Sequence, residues 1–231
     1  MGSSASKRGL RGLLLLLVLL PLLSAPARAA EHSTWLLVEM RQPLAPDGGW
    51  LPSLYRIQGQ VRFHLFEGAP NLETVRIRTG PSWDWGLLLL GANVFIAADR
   101  GLEGNFREEL RGELEPTLQL DLGRLNVSDR NRFEYRWFLQ ETRWRYRNRL
   151  RLQLSPQDWW ARPFASEEAF VDLSGQGFNE NRAQLGLSFK LSDSAQLEAA
   201  YMLLTQERQA RWLFTHTLVL YYQFEPPRPG G

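Results

Sequence analysis

Polar and apolar residues alternate through most of the chain after residue 33, and the stretch from Thr142 to Leu154 shows the pattern most clearly. Every second residue there is an arginine, and the residues between them are mostly aromatic or aliphatic. In a helix, steps of two residues would place successive arginines on opposite sides, whereas in a strand they share one face. The pattern therefore predicts a strand with one cationic face and one mostly apolar face.

Similar alternation recurs along the chain and predicts an all-β protein. Eleven candidate strands follow from it, near residues 34–41, 54–66, 72–79, 85–97, 105–122, 127–139, 142–154, 164–173, 178–191, 195–205 and 211–224. Short stretches of turn-forming residues separate most of them, which is typical of hairpins between antiparallel neighbours. We therefore predict a single up-and-down antiparallel β domain covering residues 30–224.

The length of the strands favours a transmembrane β-barrel. A strand of thirteen residues is about 43 Å long and, tilted by about 40°, rises about 33 Å, enough to cross an apolar band about 25 Å tall. Tyrosine and tryptophan lie near the ends of the apolar faces, as in interfacial girdles: Tyr55, Trp137, Trp144, Trp212 and Tyr222. Since an arginine facing lipid costs about 2 to 4 kcal/mol, the arginine faces are expected to point inward. Alternation fits a soluble periplasmic barrel or sandwich equally well, so that fold is the alternative.

The expected strand number is about ten, with twelve as the alternative. A bacterial single-chain barrel normally has an even number of strands. The region from Pro43 to Pro52 looks like a break, so we expect Trp35 to Arg41 to be a side segment outside the barrel.

The N-terminus has the three parts of a signal peptide, expected to cover residues 1–29. Lys7, Arg8 and Arg11 precede a short apolar run from Leu13 to Leu23, and Ala27-Arg28-Ala29 forms a small-x-small cleavage site. The run is too short for a spanning helix, which needs about 20 residues. We predict export across the inner membrane and location in the outer membrane, with residues 225–231 as a disordered tail.

Removing this leader changes the charge balance. The 27 basic residues fall to 23 against 25 acidic ones, so the formal net charge moves from +2 to −2 and gives no argument for nucleic acid as a partner. The expected partners are outer-membrane lipids, the barrel insertion machinery and small solutes. Of the 23 basic residues only Lys190 is a lysine, and arginine is better suited to forked pairing with carboxylates.

The arginine faces suggest a lumen that attracts anions. The candidate solute-contacting residues are Arg130, Arg132, Arg136, Arg143, Arg145, Arg147, Arg149 and Arg151. Their candidate acidic partners are Glu113, Glu115, Glu134, Glu168 and Asp172. Porin-like passage or binding of small anionic solutes is one interpretation. A structural envelope protein whose lumen is filled by paired side chains is the other.

Enzymatic activity is not predicted. A lipid acyl hydrolase or transferase would need a nucleophile near a base, and the chain has only His32, His64 and His216 and no nucleophile elbow. There is no cysteine and no cluster of histidines and carboxylates with zinc spacing, so neither a metal nor another cofactor is expected.

The last strand alternates up to Phe224 and resembles the C-terminal signal read by the outer-membrane insertion machinery, although seven residues follow it and His216 interrupts its apolar face. Five motifs and the closing strand occur in a recognisable order: VRIRTGPSWDW at 75–85, DRNRFEYRW at 129–137, YRNRLRL at 146–152, FASEEAFVDL at 164–173 and GFNENRAQLGLSFKLS at 177–192. In these motifs the chain resembles an uncharacterised family of secreted bacterial proteins that carry a domain of unknown function and are viewed as outer-membrane β-barrels. The resemblance implies a barrel and a location, and no reaction.

Overall fold

A computed structural model describes residues 31–44, 49–66, 69–100, 106–155, 160–208 and 211–227. Over these residues the chain forms eleven strands: β1 (Glu31–Pro43), β2 (Leu54–Phe66), β3 (Ala69–Asp84), β4 (Leu88–Arg100), β5 (Phe106–Asp121), β6 (Leu125–Trp137), β7 (Thr142–Leu154), β8 (Ala161–Asp172), β9 (Gly177–Lys190), β10 (Ala195–Arg208) and β11 (Arg211–Phe224). No helix in this part of the chain is long and apolar enough to cross a membrane. The predicted signal peptide lies outside the described residues, as do residues 228–231 of the predicted tail.

The strands form one closed barrel in which each strand pairs antiparallel with the next in sequence. The predicted all-β barrel is confirmed, and its eleven described strands lie between the ten and twelve considered. Closure is made by β1 and β11, which run parallel, with Trp35 opposite Val219 and Leu36 opposite Leu220.

The segment from Trp35 to Arg41 is therefore part of the barrel wall, which corrects the expectation that it lies outside. It pairs with β2 on one side and with β11 on the other. An odd number of strands leaves two edge strands running the same way, and a parallel ladder still pairs their backbone groups. The even-number rule holds only where every pair is antiparallel.

The two faces of the wall differ as the alternation predicts. Aliphatic side chains point outward and stay accessible, with Ile96 57% and Leu118 52% exposed, whereas Glu134 between two inward arginines is 0% exposed. Because adjacent residues in a strand point to opposite sides, Glu168 faces the interior while Glu167 lies outside and accepts a hydrogen bond from Asn181.

The interior has a charged part and an apolar part. The apolar part is a cluster of buried side chains from β1, β8, β10 and β11: Trp35, Phe164, Ala200, Met202, Leu204 and Val219. On β10 the inward positions change from the charged Glu198 to the apolar Ala200, Met202 and Leu204. In this part of β10 both the inward and the outward faces are therefore apolar. The charged part lies along β2, β3 and β5 to β9 and includes Glu39 and Arg41 of β1 and Glu198 of β10.

Candidate functional site

Glu134 of β6 is a centre of the charged interior. It accepts a hydrogen bond from Arg145 Nε at 2.7 Å and another from Arg147 Nη1 at 2.8 Å. Arg111 Nη1 lies 3.7 Å and Arg132 Nη1 3.8 Å from its carboxylate. One buried carboxylate thus joins three neighbouring strands, β5 to β7.

Glu115 of β5 plays the same part at a second centre. Its Oε2 atom accepts hydrogen bonds from Arg78 Nη2 at 2.7 Å and Arg132 Nε at 2.6 Å, and its Oε1 atom accepts one from Arg56 Nη2 at 3.3 Å. Arg56 passes over Gly91 of β4, where an added Cβ would lie 2.5 Å from its Nη2 atom. The absence of a side chain at Gly91 therefore gives Arg56 its path across the lumen.

Glu168 of β8 forms a third centre. It accepts hydrogen bonds from Arg130 Nη2 at 2.9 Å and Arg147 Nη2 at 2.8 Å, and Arg182 Nη1 lies 3.5 Å away. Arg147 and Arg182 also stack on the fully buried ring of Phe170, with their guanidinium carbons 4.4 and 4.3 Å from the centroid of the ring. Guanidinium groups pair with carboxylates through their edges and stack on rings through their faces, so this packing uses both.

A cavity of about 440 Å³ lies beside these three centres. Twelve arginines and only four glutamates line it, so its wall carries an excess of positive charge. The lining extends to the end of the barrel where β11 ends, and four neutral side chains stand there: Gln119, Gln153, Gln196 and Gln223. A volume of this size is within the range of small-molecule sites.

A family model described as a protein of unknown function, DUF2490, matches residues 32–215. The chain belongs to this family. Comparison with curated proteins gives no match. The resemblance of the sequence to an uncharacterised family is confirmed, whereas the outer-membrane location is outside what the family description states and stays a prediction. The matched region contains the three carboxylate centres of this DUF2490 barrel and most of its cavity lining.

The candidate arginines of the DUF2490 chain fall into two groups. Five line the cavity: Arg130, Arg132, Arg147, Arg149 and Arg151. The other three are held by acids away from it. Arg136 pairs with Glu109, Arg143 with Glu141 and Asp172, and Arg145 with Glu134. Contact of any of them with a solute stays a prediction.

The candidate acids divide in the same way. Glu115 and Glu168 line the cavity, whereas Glu113, Glu134 and Asp172 belong to the wall behind it. Glu113 accepts a hydrogen bond from Arg78 Nε at 2.6 Å.

Outside the strands, hydrogen bonds from Arg143 and Arg107 hold the pKa of Glu141 below its usual value.

Several cavity residues were absent from the candidates chosen by sequence. The charged ones lie on β1 to β3, β5, β9 and β10: Glu39, Arg41, Arg56, Arg62, Arg76, Arg78, Arg111, Arg182 and Glu198. The same alternation marks most of them, for example Arg76 and Arg78 in VRIRT. The missing information was which strands face each other across the lumen.

The histidines do not form the arrangement that an acyl hydrolase needs. His216 faces outward, where its Nδ1 atom lies 2.5 Å from the Tyr201 hydroxyl. Its ring lies 5.7 Å from that of His32. Within the described ranges, no serine hydroxyl is hydrogen-bonded to a histidine, and Ser166 instead donates to Gln184. The absence of enzymatic activity stays a prediction.

Proposed function

We propose that this DUF2490 barrel is an outer-membrane protein whose lumen is held closed by its arginine–glutamate network, with a structural role in the envelope. The observation that carries the proposal is the reversed distribution of its residues, with charge inside and apolar side chains outside. Export by the predicted signal peptide is part of the proposal.

The exterior supports a lipid environment. Exposed aliphatic residues occur on strand after strand: Leu36, Val38, Ile57, Ile77, Val94, Ile96, Leu110, Leu114, Leu118, Leu150, Leu152 and Leu185. A water-soluble protein rarely exposes contiguous apolar surface of more than a few hundred Å². Aromatic groups stand near one end, where the ring centroids of Tyr135 and Trp144 are 4.5 Å apart and those of Phe178 and Trp212 are 5.6 Å apart. Aromatic belts of this kind are typical of membrane–water interfaces.

The interior supports a closed lumen. Glu115, Glu134 and Glu168 each hold arginines from several strands, and opening a wide pore would require these buried ion pairs to separate. Leaving one charge of such a pair unpaired costs about 3 to 5 kcal/mol. Passage of small anionic solutes is the second candidate function, and the positive excess around the cavity favours it.

Two measurements on the same protein test the proposal. After fractionation of cells, we expect the mature chain in the outer-membrane fraction, resistant to extraction by high salt and released by detergent. The purified protein, inserted into planar bilayers, should then show no stepwise conductance. Release without detergent would contradict the membrane location, and steady anion-selective steps would favour solute passage over a closed lumen.

Insertion itself needs a control, since a protein that fails to insert is also silent. The control is the same protein preparation reconstituted into liposomes, where an inserted barrel should be protected from added protease. A protected and silent protein supports the closed lumen, whereas a digested one contradicts insertion.

A further inference from the structure

One part of the cavity contains a buried arginine that forms no ion pair with a carboxylate of the described residues. Arg62 of β2 is buried, yet no carboxylate of the described residues lies within 4 Å of its guanidinium group. Its Nε atom forms no hydrogen bond with any described residue. Its guanidinium carbon lies 3.5 Å from the ring centroid of Trp35. Stacking on a ring leaves the N–H edge of a guanidinium free to bind an acceptor.

Donors without acceptors surround this group. Nε of Arg62, Nε of Arg76, Nε of Arg182 and the indole Nε1 of Trp35 are all buried, and none has a hydrogen-bond partner among the described residues. All four side chains line the same cavity. Buried donors in native proteins are normally satisfied, so a group of four that are not indicates a missing acceptor.

Three of the neighbouring acids, Asp99, Glu168 and Glu180, are paired with other arginines. Arg76 holds Asp99 at 2.9 Å through Nη2, and Arg182 pairs with Glu180 and, at 3.5 Å, with Glu168. Arg182 also stacks on Trp35, with its guanidinium carbon 4.8 Å from the centroid of the ring. One ring thus contacts two guanidinium groups, and the acids that act on Arg62, Glu73 and Glu180, lie more than 4 Å from its guanidinium group.

From these contacts we propose that the cavity binds a small oxyanion of the phosphate type at Trp35, Arg62, Arg76 and Arg182. Four donors on side chains from four strands, β1, β2, β3 and β9, suit a tetrahedral oxyanion, which accepts hydrogen bonds in several directions, better than a planar carboxylate. Fork-shaped arginine edges are well suited to phosphate oxygens. The cavity lining connects this subsite with the glutamine-lined end of the barrel, which provides an entry path. The site is independent of whether the lumen conducts.

Thermal unfolding of the full mature protein in detergent tests the proposal, with chloride at equal ionic strength as the reference. Inorganic phosphate should raise the unfolding temperature of the wild type in a saturable way. Glycerol phosphate, added in a parallel titration, distinguishes a phosphate ester from the free ion as the better ligand. A saturable rise in the unfolding temperature with either ligand supports the site. The absence of such a rise with both phosphate and glycerol phosphate would overturn the proposal.

Variants assign the effect to the subsite. Arg62→Gln should weaken binding by about tenfold or more, the loss expected for a charge-assisted hydrogen bond. Without phosphate it should unfold at the same or a higher temperature than the wild type, because it removes a buried charge that forms no ion pair with a described carboxylate. Trp35→Phe keeps a ring for stacking, removes the indole donor and should also weaken binding.

Arg107→Gln is the matched control. Arg107 is exposed, lies outside the cavity and pairs with Glu141 at 2.6 Å. Its phosphate titration should equal that of the wild type. Equal titrations of the wild type, Arg62→Gln and Trp35→Phe would overturn the proposal.

Discussion

Among single residues, Glu134 shares with Glu115 the largest number of arginine neighbours in the described part of the interior. Four guanidinium groups lie within 4 Å of its carboxylate, and the side chain is completely buried. The attraction between these buried charges is offset by the hydration that each charge loses on burial, so the intact network adds less to the free energy of unfolding than the number of its contacts suggests. Breaking it is different, because the arginines that remain are left buried without a counter-charge.

We therefore expect Glu134→Gln to lower the free energy of unfolding by about 3 to 5 kcal/mol. Urea unfolding in detergent micelles, followed by tryptophan fluorescence, measures the change. Glu141→Gln is the control: Glu141 also pairs with two arginines but lies in an exposed loop, so its substitution should change the midpoint little. Equal midpoints for wild type and Glu134→Gln would contradict the network.

A second prediction concerns Asn148, a polar residue on the outward face of β7. Its Nδ2 atom lies 2.6 Å from Asp129 Oδ1 and 3.1 Å from Asn131 Oδ1, and the Tyr146 hydroxyl donates to Asn131 at 2.5 Å. Asn148→Leu takes a donor from the Asp129 carboxylate and should cost about 1 to 3 kcal/mol. Adding Asp129→Leu should recover most of this loss, as the same unfolding assay would show. Additive losses in the double variant would contradict the interaction.

The two residues differ in how far the sequence predicts them. Alternation assigns Glu134 to the polar face and Asn148 to the outward one. The partners of Asn148 follow only from the register between β6 and β7, in which Asn131 stands opposite Asn148. A face is a property of one strand, whereas a hydrogen bond requires the alignment of two.

At the scale of elements, the alternation locates the strands well and their ends less well. β7 was predicted at 142–154 and is found there, whereas β4 was predicted at 85–97 and spans 88–100. Turn geometry sets the ends. Gly123 between β5 and β6 adopts φ +78° and donates its N–H to Asp121 at 2.9 Å, a conformation that favours glycine.

The closure between β1 and β11 is the element that sequence reasoning did not anticipate. Cysteine pairs test it directly, because the chain has no cysteine of its own. In the parallel register Thr34 stands opposite Leu218 and Val38 opposite Tyr222. We expect the double variants Thr34→Cys with Leu218→Cys and Val38→Cys with Tyr222→Cys to form disulfides on oxidation, seen as a mobility shift on non-reducing gels.

The exchanged pairs are the control for this experiment. Thr34→Cys with Tyr222→Cys and Val38→Cys with Leu218→Cys are each displaced by four residues, about 13 Å along the strand, beyond the reach of a disulfide. Cross-linking of the exchanged pairs in place of the aligned ones would show that the strands close antiparallel.

For the whole molecule, alternation predicts a β-barrel with inward arginines but not the arrangement of its interior. Trp35 and Arg182 contact each other although 146 positions separate them in the sequence. Such contacts depend on the barrel's closure and on how far each side chain reaches across the lumen. For the same reason the apolar part of the interior around Met202 could not be predicted from the sequence. When one strand is considered alone, an apolar face is expected to point outward.

The central claim is that this barrel spans a membrane with its arginines turned inward. Spin labels on single cysteines at Trp144, Leu150 and Leu152 of β7, in protein refolded into liposomes, test it most directly. These outward positions should be relaxed strongly by oxygen, which concentrates in lipid, and weakly by a water-soluble nickel chelate. Strong relaxation by the nickel chelate at all three positions would contradict membrane insertion and indicate a barrel surrounded by water.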